Sequence, residues 1–72
     1  MSLQSVVLSQ LLIFKSILVR ITVKGDCLGR EGFLRVEKMD EEGNLCYSVY
    51  DVEEDGYLGT FYPAEFEVLK IL

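Results

Sequence analysis

From Val19 onward the chain alternates, with Val19, Ile21 and Val23 apolar and Arg20, Thr22 and Lys24 polar. A period of two is the pattern of a half-buried strand, because successive side chains point to opposite faces. Gly25-Asp26 breaks the pattern, and residues 27–31 form a loop closed by Gly29 and Gly32. Residues 33–39 read as a second strand, with Leu34 and Val36 inward and Arg35 and Glu37 outward. Asp40-Glu41-Glu42-Gly43-Asn44 is a hairpin turn whose glycine suits a left-handed backbone. A third strand over 45–52 turns Tyr47 and Val49 inward and Tyr50 outward. Residues 53–56 turn again, and 57–62 form a fourth strand in which Phe61 and Tyr62 point to opposite faces. Pro63 opens a short helical or 3₁₀ turn, since its fixed φ suits a first helical position. Phe66, Val68, Leu69 and Ile71 supply a closing strand.

The first eighteen residues follow a different period. Leu3, Val7, Leu11, Phe14 and Leu18 recur at helical spacing, and Val6, Ile13 and Ile17 widen that stripe. Leu8 and Leu12 fall on the other side, and Leu11-Leu12-Ile13-Phe14 also suits a buried strand. The segment therefore reads as a helix, a helix running into a strand, or an extended run. It covers one open end of the β-structure, meets a copy of itself in another subunit, or does both. Gln4, Ser5, Ser9, Gln10, Lys15 and Ser16 interrupt it, which argues against a transmembrane span. It also lacks the positive start and the small-residue cleavage site of a secretion signal.

Residues 19–69 resemble the SH3-like small-barrel superfamily in its KOW or Tudor-like versions. The resemblance rests on the strand from Val19 to Lys24 and on Gly29-x-x-Gly32-x-Leu34-x-Val36. The Glu42-Gly43-Asn44 turn and the ending Gly59-Thr60-Phe61-Tyr62-Pro63-Ala64-Glu65-Phe66-Glu67-Val68-Leu69 complete it. It implies a mostly β fold: a five-stranded barrel over 19–72, preceded by the apolar segment 1–18. Such barrels host many unrelated roles, so the resemblance speaks to fold more than to function. KOW segments are usually basic, whereas the second half of this chain is acidic, which weighs against nucleic-acid binding.

Composition narrows the function further. Seventy-two residues make one domain, and half of them are hydrophobic, a surplus that points to apolar surface covered by a partner. Residues 1–36 carry five basic and two acidic side chains, a net of +3. Residues 37–72 carry two basic and ten acidic, a net of −8. With no histidine, the commonest neutral-pH base and metal ligand is missing. Cys27 has basic neighbours but no histidine to activate it. Cys27 and Cys46 either pair or, as expected here, are reduced thiols of a cytoplasmic protein. The acidic runs 40–42 and 51–55 sit at hairpin tips, where solvent keeps carboxylates ordinary. They also lack the ligand ladder of a calcium loop. No catalytic residue, metal site or cofactor is expected.

Two candidate surfaces remain. Tyr50, Tyr57, Phe61 and Tyr62 cluster around the third and fourth strands as a peptide-binding surface. The acidic loops beside them favour a basic partner. Arg20, Lys24, Arg30 and Arg35 form a basic strip that would either meet phosphates or pair with acidic groups. The expected function is a non-catalytic protein-interaction or assembly module, a homo-oligomer away from membranes. A nucleic-acid accessory domain using the basic strip and a small regulatory subunit of a larger enzyme are the alternatives.

Overall fold

The computed structural model describes residues 3–54 and 56–72. Helix α1 (Leu3–Phe14) leads into five strands: β1 (Ile17–Ile21), β2 (Glu31–Met39), β3 (Leu45–Asp51), β4 (Tyr57–Phe61) and β5 (Phe66–Ile71). A 3₁₀ turn, Pro63–Glu65, joins the last two. All the pairings are antiparallel and form one sheet in the order β4-β3-β2-β1-β5, with β4 and β5 at its edges. The fold is mostly β. No helix among the described residues is long and apolar enough to cross a membrane.

The core lies on one face of the sheet, beneath α1. Ile17, Val19 and Ile21 of β1 are fully buried with Tyr47 and Val49 of β3, and Leu34, Phe66 and Leu8 join them. Tyr47 packs edge-on against Phe66, ring centroids 6.2 Å apart. Its hydroxyl is within 3.0 Å of Ser9 Oγ and so ties the helix to β3. That bond satisfies the one polar atom of a buried tyrosine. Burial still pushes the Tyr47 phenol above its ordinary value.

Among the described side chains of α1, Leu8 and Leu12, expected on the other side, pack on the core together with Leu11 of the expected stripe. Leu8 is 3 % exposed, whereas Ile13 is 75 % exposed. Leu8, Leu11 and Leu12 sit at i, i+3 and i+4, so they too share a helix face. The segment is apolar on several sides, and only packing against the sheet selects among them. The expected stripe also ran into Ile17 and Leu18, which are not helical: they begin β1. The side chains of Leu3, Val6, Val7 and Phe14 lie outside those described.

A bulge reverses the second expectation. Leu34 pairs with Val49 and Glu37 with Tyr47, so β2 spends one more residue than β3 across this stretch. The extra residue turns Val36 outward, 51 % exposed. It also brings Glu37 to the face of its partner Tyr47, where it borders a shallow depression with Ser9, Gln10, Leu12 and Ile13. Val36 was expected inward and Glu37 outward; both are corrected. The buried Ser48 hydroxyl accepts the Val36 N–H at 2.9 Å, which provides for an amide displaced from the ladder.

The sheet also needs glycine at one close approach. A Cβ on Gly32 would overlap the Tyr50 carbonyl and come within 2.7 Å of Val49 Cγ1. β1 ends at Ile21, so Lys24 lies in the following loop and not on the strand face expected for it.

Candidate binding site

Strand pairing assembles a row of side chains on the face opposite the core. Leu18 alternates with the buried Ile17 and Val19, so it points away from them. Cross-strand partners share a face, and the register runs from Leu18 to Phe33, Phe33 to Tyr50 and Tyr50 to Tyr57. The Tyr50 and Tyr57 rings lie 5.5 Å apart at 53°. Arg35 places its guanidinium carbon 5.9 Å from the Tyr50 centroid, within cation–π range. The Tyr57 hydroxyl is 2.6 Å from Thr60 Oγ1, so the more exposed ring is anchored at its tip.

The four aromatics expected to bind together divide into three places. Tyr50 and Tyr57 share the outer row. Phe61 pairs with Tyr47 and packs on the core. Tyr62 leaves the end of β4 and donates its hydroxyl to Asp40 Oδ2 at 2.8 Å, and this bond heads the causes that raise its phenol above the ordinary value. Leu18 and Phe33 were missed as members of the row. Leu18 had been read as part of the N-terminal segment, and strand register lies beyond local pattern.

The basic strip is partly neutralised within the chain. Arg20 reaches Glu67 at 2.9 Å and Glu31 at 3.2 Å, and both raise its guanidinium above the ordinary value, Glu31 first. Arg30 pairs with Asp51, Arg35 sits over Tyr50, and Lys24 is exposed. The four cations therefore belong to four separate local environments.

Two aspartates act as turn fasteners. Asp40 accepts the N–H groups of Glu42 and Asn44 at 2.9 and 2.8 Å. The Asn44 amide, followed by the Tyr62 hydroxyl, holds the Asp40 carboxyl below its ordinary range. Asp51 accepts the N–H groups of Glu53 and Glu54 at 2.7 and 3.1 Å. Those amides lead, and Arg30 adds to, the lowering of its carboxyl. Asp51 was expected among solvated hairpin tips; at 5 % exposure it is buried. An aspartate at the end of a strand two residues before a turn amide is a local signal that would have identified both.

Both cysteines are free. Cys27 is half-buried and donates its thiol to the Leu58 carbonyl oxygen at 3.4 Å, linking the glycine loop to β4. Cys46 is buried in β3. No family model, curated protein or solved structure matches the chain.

Proposed function

We propose that this chain is a non-catalytic protein-interaction and assembly module, a small SH3-like barrel working in the cytoplasm. The observation that carries the reading is the row Leu18–Phe33–Tyr50–Tyr57. It is a continuous apolar and aromatic strip across four strands, on the face that the core does not use. Tyrosines offer a large rigid contact area with a polar tip. The exposed Glu53 and Glu54 in the turn between β3 and β4 stand beside the strip and favour a partner segment with basic as well as apolar side chains.

The 3₁₀ turn between β4 and β5 and the bulges in three of the four strand pairings support the barrel assignment. The free thiols suit a reducing compartment. Self-association is the second half of the proposal. Ile13, Met39, Ile71 and Leu72 are each more than two-fifths exposed, and a second copy would remove part of that apolar surface from water. The nucleic-acid alternative draws less support, because Arg20 and Arg30 are engaged by carboxylates that phosphates would have to displace.

A peptide array of basic–apolar, proline-rich and acidic segments, followed by titration of the hits, tests the reading. Basic–apolar peptides should bind, and Tyr57→Ala, at a site 57 % exposed and tolerant of truncation, should weaken them roughly tenfold. Binding unchanged in both Tyr50→Ala and Tyr57→Ala would refute the assigned surface. Binding of generic RNA or DNA that falls steeply with salt and is lost on Arg20→Glu would favour the accessory-domain alternative.

A further inference from the structure

Edge strand β5 has a backbone and side-chain pattern that fits a second copy of itself. Ser16 and Leu72 exchange both backbone bonds, at 3.3 and 2.8 Å. In an antiparallel ladder such pairs alternate with pairs whose amides point away from each other. Ile71, opposite Ile17, therefore turns its N–H and C=O to the free side of the sheet. At the other end of β5, Ile21 gives its N–H to the Arg30 carbonyl and its C=O to the Gly29 amide, both toward β2. Phe66, opposite Ile21, accordingly also directs its backbone to the free side. Among the described residues no strand pairs there.

Side-chain faces follow the same logic. Leu69 is the extra residue of a bulge between Leu18 and Val19, and it resets the alternation. Phe66 and Val68 share the core face with Ile21 and Val19, and Ile71 shares it with Ile17. Glu67 and Lys70 share the outer face with Arg20 and Leu18. Phe66 and Ile71 thus agree in both face and backbone direction. An unbulged strand would set residues five apart on opposite faces.

We infer that β5 pairs antiparallel with β5 of a second copy, about a two-fold axis between Val68 and Leu69. Phe66 then exchanges backbone bonds with Ile71 of the partner subunit. Glu67, whose Oε1 holds Arg20 at 2.9 Å within its own chain, meets Lys70 of the partner subunit on the outer face as a second cation, and the two-fold repeats both contacts. Opposite charges fall at the positions that symmetry brings together, where a single sign would repel. The dimer covers Leu69, Ile71 and Leu72, which are 37, 46 and 53 % exposed in one copy. The other edge, β4, is the poorer template, because it holds Gly59 at φ +142° in its interior.

This inference rests on the self-association proposed above, and sedimentation velocity on charge-swapped variants separates the two. The wild type should show a reversible monomer–dimer equilibrium that weakens with salt. Lys70→Glu and Glu67→Lys each oppose like charges twice and should each weaken the dimer roughly tenfold. An equimolar mixture of the two should restore it, because each altered position then faces its opposite. Ile71→Pro removes an amide that β1 does not use; it should leave the circular dichroism spectrum native and abolish the dimer. A wild type monomeric at every concentration would overturn self-association and this inference together, leaving the aromatic row standing. A dimer indifferent to all these changes, or a ring of three or more copies, would overturn the β5 pairing alone.

Discussion

Replacing Leu8 by alanine tests whether α1 is part of the domain core or an appendage awaiting a partner. Leu8 is 3 % exposed and belongs to the same buried cluster as Tyr47, Val49 and Phe66. Removing a buried leucine side chain costs its transfer free energy and leaves a cavity, together about 2–5 kcal/mol. The whole stability of a domain this size is about 4–11 kcal/mol, so the variant should lose a large fraction of it. Ile13 supplies the control: five residues along the same helix and 75 % exposed, its alanine variant should stay within about 0.5 kcal/mol of wild type. The assay is urea denaturation at a dilution where any dimer is dissociated, since association would add its own stability. An unchanged slope with a shifted midpoint identifies a stability change in the native state. If the two variants cost the same, or if Ile13→Ala costs more, the helix packs through its Ile13 side and the core described here is wrong.

Three further outcomes follow from the same geometry. Ser48→Ala should cost about 1–3 kcal/mol, because it leaves the Val36 N–H of the β2 bulge without its acceptor; a loss below about 0.3 kcal/mol in the same denaturation assay would remove the hydroxyl from the account of the bulge. Asp40 and Asp51 titrate below their ordinary value of 3.8 when folded, so their stabilisation is complete above that value and is lost as pH falls through the lowered one. Denaturation midpoints should therefore drop on acidification below about pH 4, and the Asp51→Asn variant should show a shallower drop; an equally steep one would refute the assigned role. Gly32→Ala should be strongly destabilising in thermal unfolding, since its Cβ meets the Tyr50 carbonyl and Val49, whereas an unchanged melting temperature would show that β2 and β3 approach less closely.

The alternation Val19–Ile21 and the inward Tyr47 and Val49 were legible because burial on one face leaves a period-two mark on each strand. The 3₁₀ turn at Pro63 was legible because proline restricts its own φ. Val36 and Glu37 were misread for the converse reason. A bulge is set by how two strands register, and nothing within residues 33–39 announces it. The helix face was ambiguous because residues 3–14 are apolar on several sides, and only the sheet beneath distinguishes Leu8 from Ile13. Tyr50 and Tyr57 were found as surface aromatics from composition and alternation, but their union with Leu18 and Phe33 required the register of four strands. Asp51 escaped notice because a run of acids reads as solvated, although one member of the run serves the turn backbone.

The central claim is a binding module that meets its own copy through β5 while keeping the outer aromatic row for another partner. Backbone amide shifts recorded by NMR along a dilution series, from millimolar to micromolar protein, test both halves in one measurement. The account predicts concentration-dependent shifts at Phe66, Val68 and Ile71, with the amides of Tyr50 and Tyr57 unmoved. Shifts centred on Tyr50 and Tyr57, or none anywhere in the series, would contradict it.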